Sequence, residues 1–109
     1  MKISVLIKMF KFRSLEPSNL KTKKWRINFT NSETGKTKTV NFGAKGYRDF
    51  TLIDDRAEAL KTREAYRARH AGDNLTDPLS PGALSWYLLW GDSQNLKTNL
   101  RAYMERFRL

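Results

Sequence analysis

The chain has 109 residues, with 21 Lys and Arg against 11 Asp and Glu, one His and no Cys. That length supports one domain, since two would each be too small to bury a good core. The absence of Cys excludes a disulfide framework, a thiol nucleophile and Cys-ligated metal, and a single His makes a zinc hydrolase or a His-based triad hard to build. The net charge of +10 favours a polyanionic partner: nucleic acid, an acidic protein surface or anionic lipid.

The charge is lopsided. Residues 1–50 carry twelve Lys/Arg against three acids, and residues 51–109 carry nine against eight. A charge excess confined to one half points to a binding face rather than to general solubility. The start of the chain resembles a signal peptide only briefly, because Lys8 and Lys11 interrupt the apolar run and no small-residue cleavage site follows. No stretch reaches the roughly 20 apolar residues of a membrane span, so the expectation is a soluble protein.

In chain order, Ile3, Val5, Ile7 and Met9 alternate, with Leu6, Phe10 and Phe12 on the other face, as in a strand covered on both sides. Residues 14–23 read as a loop, broken by Pro17 and Asn19. Trp25, Ile27 and Phe29 alternate with Arg26, Asn28 and Thr30, and Val40 and Phe42 share one face of a run from Thr37. The turn Asn31-Ser-Glu-Thr-Gly35 between them makes a hairpin.

The second half reads as helical. Asp55-x-x-Glu58 has the form of a capping box and opens a helix to about Ala71, with Gly72 as its C-cap. Ser80-Pro81 is an N-cap followed by proline at the first helical position. Residues 84–90 are apolar all round, as befits a central core helix. Asp92 or Ser93 caps a last helix, whose residues Leu96, Leu100, Tyr103, Met104 and Phe107 share a face. The expected fold is α+β: a three-stranded antiparallel sheet packed on about three helices.

Four features carry candidate function. The first is Lys21, Lys23, Lys24 and Arg26 around Trp25: cations neutralise phosphates, and an aromatic face stacks on a base. The alternative for Trp25 is core packing beside Ile27 and Phe29. The second is the hairpin with Lys36 and Lys38, which either lies along a nucleic-acid backbone or protects an edge strand from aggregation. The third is Gly43-Ala-Lys-Gly-Tyr-Arg-Asp49, whose glycines let amides approach a phosphate while Lys45 and Arg48 supply charge. Its Gly-x-x-Gly spacing is that of the KH-domain clamp, but here it follows a strand; the alternative is a plain turn needing positive φ.

The fourth is a helical stripe of Arg56, Arg63, Arg67 and His70, with Tyr66 at its edge. It suits successive phosphates or a carboxylate-rich partner, or else arginine stems covering the neighbouring Ala57, Leu60, Ala68 and Ala71. Asp49, Asp54 and Asp55 could hold Mg²⁺, but capping accounts for at least one of them, and no phosphate-loop, zinc-hydrolase or nucleophile-elbow motif is present. The expectation is therefore non-enzymatic, with no cofactor and no metal.

Phe42-Gly-Ala-Lys-Gly-Tyr-Arg-Asp-Phe-Thr51, Arg63-x-x-Tyr66-x-x-Arg69-His70, Asp77-Pro, Pro81-Gly-Ala-Leu-Ser-Trp-Tyr-Leu-Leu-Trp90 and Tyr103-x-x-Arg106-Phe107 together resemble a family of small basic proteins of large nucleocytoplasmic DNA viruses. The resemblance covers residues 40–108. It implies a viral source and a place in the virion or with the genome, in the host nucleus or a cytoplasmic viral factory, and it transfers no catalytic residue. The function expected is sequence-independent binding of nucleic acid, DNA ahead of RNA, by Lys21, Lys23, Lys24, Arg26, Lys36, Lys38, Lys45 and Arg48 on one face, and Arg63 and Arg67 on a second. The competing expectation is a minor capsid or cement protein whose basic face docks on acidic capsid subunits. That reading asks for Phe10, Phe12 or Trp25 as exposed anchors; the nucleic-acid reading asks for one continuous lysine track.

Overall fold

A computed structural model of the protein describes residues 9–73 and 75–109. Strands β1 (Phe10–Pro17), β2 (Lys23–Asn31) and β3 (Thr37–Ala44) form one antiparallel sheet in the order β1-β2-β3. Helix α1 (Arg56–His70) follows, then the single turn α2 (Pro81–Leu84), which runs directly into a π-helical turn at Ser85–Leu89, and finally α3 (Leu96–Phe107). The α+β arrangement expected from the sequence is present. The strand expected over Ile3, Val5 and Ile7 lies outside the described residues.

The first strand corrects the sequence reading: residues 14–17 are sheet, not loop, and the β1–β2 connection is only Ser18–Thr22. Phe12 pairs with Phe29 and Leu15 with Ile27, a three-residue step that breaks strand alternation. A bulge between Phe12 and Ser14 absorbs the extra residue, so both apolar side chains reach the core face. Pro17 is tolerated because it closes an edge strand. The opposite face is polar and bonded across the strands. Arg26 Nε and Asn28 Nδ2 donate to Glu16 at 2.8 and 2.9 Å, and Thr39 Oγ1 donates to Asn28 at 2.6 Å. Arg26 and then Asn28 hold the Glu16 carboxyl below its ordinary range.

The core lies between the sheet and the helices. Ile27, Phe29, Val40 and Phe42 pack with Phe50, Ile53, Leu84, Leu88, Leu89, Trp90 and Tyr103. Segment 84–90 is central, as its all-round apolarity predicts. Its helix is widened, however: the Trp90 amide donates to the Ser85 carbonyl five residues back, at 3.1 Å. On α3, Tyr103 is buried, and Leu96, Leu100, Met104 and Phe107 pack against the core, as their spacing predicts.

Asp55 caps α1, accepting from the Ala57 and Glu58 amides, and Ser80 caps α2, accepting from Ala83 at 3.2 Å. The cap of α3 is Asn95, which accepts from Thr98 at 3.0 Å; it is neither Asp92 nor Ser93. Ser93 Oγ accepts from the Asn95 amide at 2.9 Å instead, while the Ser93 amide donates to the buried Asn99 and its carbonyl accepts from it. Helix α1 closes on Ala71 in a right-handed conformation rather than on a left-handed Gly72. His70 and Asp73 meet at 2.7 Å across that end instead.

Candidate nucleic-acid interface

Where β3 ends, the Tyr47 amide donates to the Ala44 carbonyl at 3.4 Å, closing a tight turn. Gly46 sits third in this turn at φ +92°, a conformation open to glycine at no steric cost. Lys45 donates its amide to the Thr22 carbonyl at 3.0 Å, which ties the turn to the β1–β2 connection. Lys21, Lys23 and Lys45 are thereby gathered at one end of the sheet by backbone bonds, with Arg48 just beyond.

The base of the loop is anchored by Asp49, which is 2 % exposed. Asp49 accepts from the Thr51 amide at 2.8 Å, from the Thr51 hydroxyl, and from Lys24 Nζ at 2.7 Å. Phe50 follows it into the core. The tip does the opposite: Tyr47 is 75 % exposed and Leu52 54 %.

Tyr47 and Arg48 stand between two grooves. One, of about 470 Å³, is lined by Trp25, Lys45 and Leu52; the other, of about 400 Å³, is lined by Tyr66, Arg69, His70 and Trp90. The second has an aromatic wall, with the Tyr66 ring stacked on Trp90 at 4.3 Å and on His70 at 4.2 Å. Burial pushes the Tyr66 hydroxyl up to about 12, so it stays neutral across the physiological range.

The eight cations expected on one face do not form one. Lys45 and Arg48 flank Tyr47, and Lys21 and Lys23 belong to the same end of the sheet. Lys24 is only 12 % exposed and is committed to Asp49. Arg26 lies on the polar sheet face against Glu16. Lys36 and Lys38 sit at the hairpin end, roughly 23 Å away along the strands at ~3.3 Å per residue. Lys38 also covers the Phe10 ring at 5.7 Å.

Arg63 and Arg67 turn inward. Arg63 donates to the Gly91 carbonyl at 3.1 Å and Arg67 to the Trp90 carbonyl at 2.9 Å, so the end of the core segment has its acceptors filled. Their guanidinium groups also lie over Phe50 and Trp86, and Arg56 donates to Gln94. Arg48 pairs with Glu58 at 2.7 Å, but both side chains are about half in water, and such pairs are worth roughly 0–1 kcal/mol. A phosphate can therefore displace Glu58 at little cost.

Sequence reasoning missed Tyr47 and Arg69. The signal for Tyr47 was present, an aromatic flanked by cations in a glycine turn at Lys45-Gly-Tyr-Arg48. For Arg69 there was none, because only the packing of α1 brings it beside the Arg48 loop. Trp25, Phe10 and Phe12 are all partly buried against the core, and none is an exposed anchor. Of the three aspartates, Asp49 serves Lys24 and Asp55 caps α1. Among the described residues no group of three or more His, Asp or Glu is placed to hold a metal ion, and no helix is long and apolar enough to cross a membrane.

The molecule is thus a small basic α+β domain with an exposed aromatic, Tyr47, flanked by Lys45 and Arg48 at one end of its sheet. The chain belongs to the DUF5754 family, a family of unknown function, whose profile matches residues 13–70: the sheet from Arg13 onward, the Lys45–Arg48 loop and α1. No curated protein and no solved structure matches the chain.

Proposed function

We propose that the protein is a non-enzymatic nucleic-acid-binding protein that holds phosphates with Lys21, Lys23, Lys45 and Arg48. The observation that carries this reading is their convergence, through the Lys45–Thr22 backbone bond, on one sheet end. The buried acid at that end, Asp49, is engaged by Lys24. Lysine-dominated contact to phosphates is sequence-independent and releases counterions, so it weakens steeply with salt. The resemblance to small basic proteins of large DNA viruses favours a viral genome as the polyanion.

Fluorescence anisotropy with a labelled oligonucleotide, titrated in salt, tests the reading. The wild type should show a log–log slope equivalent to several phosphates, and Lys21/Lys23/Lys45→Ala should flatten it by about 3. A slope indifferent to those three lysines would overturn it.

One observation favours a second reading, docking on an acidic capsid subunit. Leu20, Tyr47 and Leu52 are exposed apolar side chains near the same cations, and interfaces use such anchors. Tight association with an acidic capsid subunit, with no measurable oligonucleotide binding, would decide for it.

A further inference from the structure

Resting on the nucleic-acid reading, we infer that the Tyr47 end of the sheet takes single-stranded nucleic acid, with an unpaired base stacked on Tyr47 and lodged in a flanking groove. Phosphate contact alone requires cations and no bare ring. Here the most exposed large apolar side chain among the described residues sits two residues from Lys45 and next to Arg48. A base in a duplex has both faces covered by its neighbours, so an aromatic platform on a basic surface finds its partner in an unpaired strand.

The surroundings of Tyr47 fit a base. Each flanking groove is of the size that small aromatic ligands occupy. Their walls are aromatic, Trp25 on one side and the Tyr66–Trp90 stack on the other, while Lys45 and Arg69 provide charge for the backbone. Arg63 and Arg67 of α1 are not free to read a duplex groove, because they are spent on the carbonyls of residues 91 and 90.

The test compares a mixed-sequence single strand with a duplex of the same length, by anisotropy, on the full chain. The wild type should bind the single strand more tightly. Tyr47→Ala should weaken single-strand binding roughly tenfold or more, since stacking of one base is worth that much, and should change duplex binding less than about twofold. Tyr47→Phe, which keeps the ring, should restore the single-strand affinity. The side chain is largely in water, so all three proteins should melt together, and a thermal scan checks this.

If Tyr47→Ala leaves single-strand affinity unchanged while Lys45→Ala/Arg48→Ala weakens both substrates, stacking is overturned and the phosphate reading stands. A wild-type preference for the duplex overturns the inference in the same way. If the wild type binds neither substrate, the proposed function itself falls, and the inference with it.

Discussion

Lys24 and Asp49 meet at 2.7 Å with both side chains almost out of water. Removing one partner of such a pair strands the other charge, which typically costs about 3–5 kcal/mol. Lys24→Ala should therefore lower the denaturation midpoint in urea, at an unchanged m-value, by the equivalent of about 3 kcal/mol, because Thr51 still bonds Asp49. A binding defect in that variant would report unfolding, which is why Lys21, Lys23 and Lys45 are the informative lysines. Gly43 is constrained as tightly. It stands at φ +81°, and an added Cβ would come within 2.8 Å of Leu89 Cδ1, so Gly43→Ala should cost about 1–3 kcal/mol in the same assay. Tyr66 sets a limit at high pH. Its folded pKa lies above the unfolded value, so its contribution to stability is complete below the unfolded value, near 10, and is lost as pH rises through about 12. Phenolate absorbance should show a fraction titrating near 12 that Tyr66→Phe removes. Tyr103, also pushed up by burial, stays late in both proteins.

At the scale of elements, alternation alone located β2 and β3, because one face of each is apolar and the other polar. It failed for β1: the bulge at Arg13 moves the core positions from every second residue to Phe12 and Leu15, and Pro17 looked like a breaker when it merely ends an edge strand. Helix α1 was legible in extent but not in attachment. Its one fully buried side chain is Ala59; Leu60 packs partly buried on the core, and arginine–carbonyl bonds and the Tyr66–Trp90 stack add to the hold. A stripe of arginines looks the same in sequence whether it meets phosphates or backbone carbonyls, and only the position of residues 90–92 decides. Arg67→Ala should release this helix before the sheet. Hydrogen exchange should speed up across residues 56–70 while the amides of β2 keep their protection. A uniform rise across the chain would refute that division.

For the whole molecule, the charge excess of the first half was plain from sequence, but its distribution was not. The hairpin turns the chain back on itself and sends Lys36 and Lys38 to the end opposite Lys45, so a single basic stretch becomes two poles. The site was half legible: the cations were visible as residue types, but their grouping depends on the Thr22–Lys45 bond between two loops far apart in sequence. The two poles should act separately. Lys36/Lys38→Ala should leave a short oligonucleotide's affinity for the Tyr47 end within about twofold, whereas Lys21/Lys23/Lys45→Ala should not, beyond a general screening effect that falls off over ~10 Å at 0.1 M salt.

The family profile ends at residue 70, where α1 ends. The apolar face of the sheet, however, is roofed by Leu84, Leu88, Leu89 and Trp90, and Arg63 and Arg67 reach for acceptors at Trp90 and Gly91. A fragment cut to the matched segment would carry the loop, the lysines and Tyr47, yet Ile27, Phe29 and Phe42 would face water and two guanidinium groups would lose their acceptors. Such a fragment should take up a hydrophobic dye and show collapsed, poorly dispersed spectra. The portion the family profile matches and the portion able to stand as a folded body are different lengths of this chain, and any minimal version meant to keep the loop in working shape has to reach through α3.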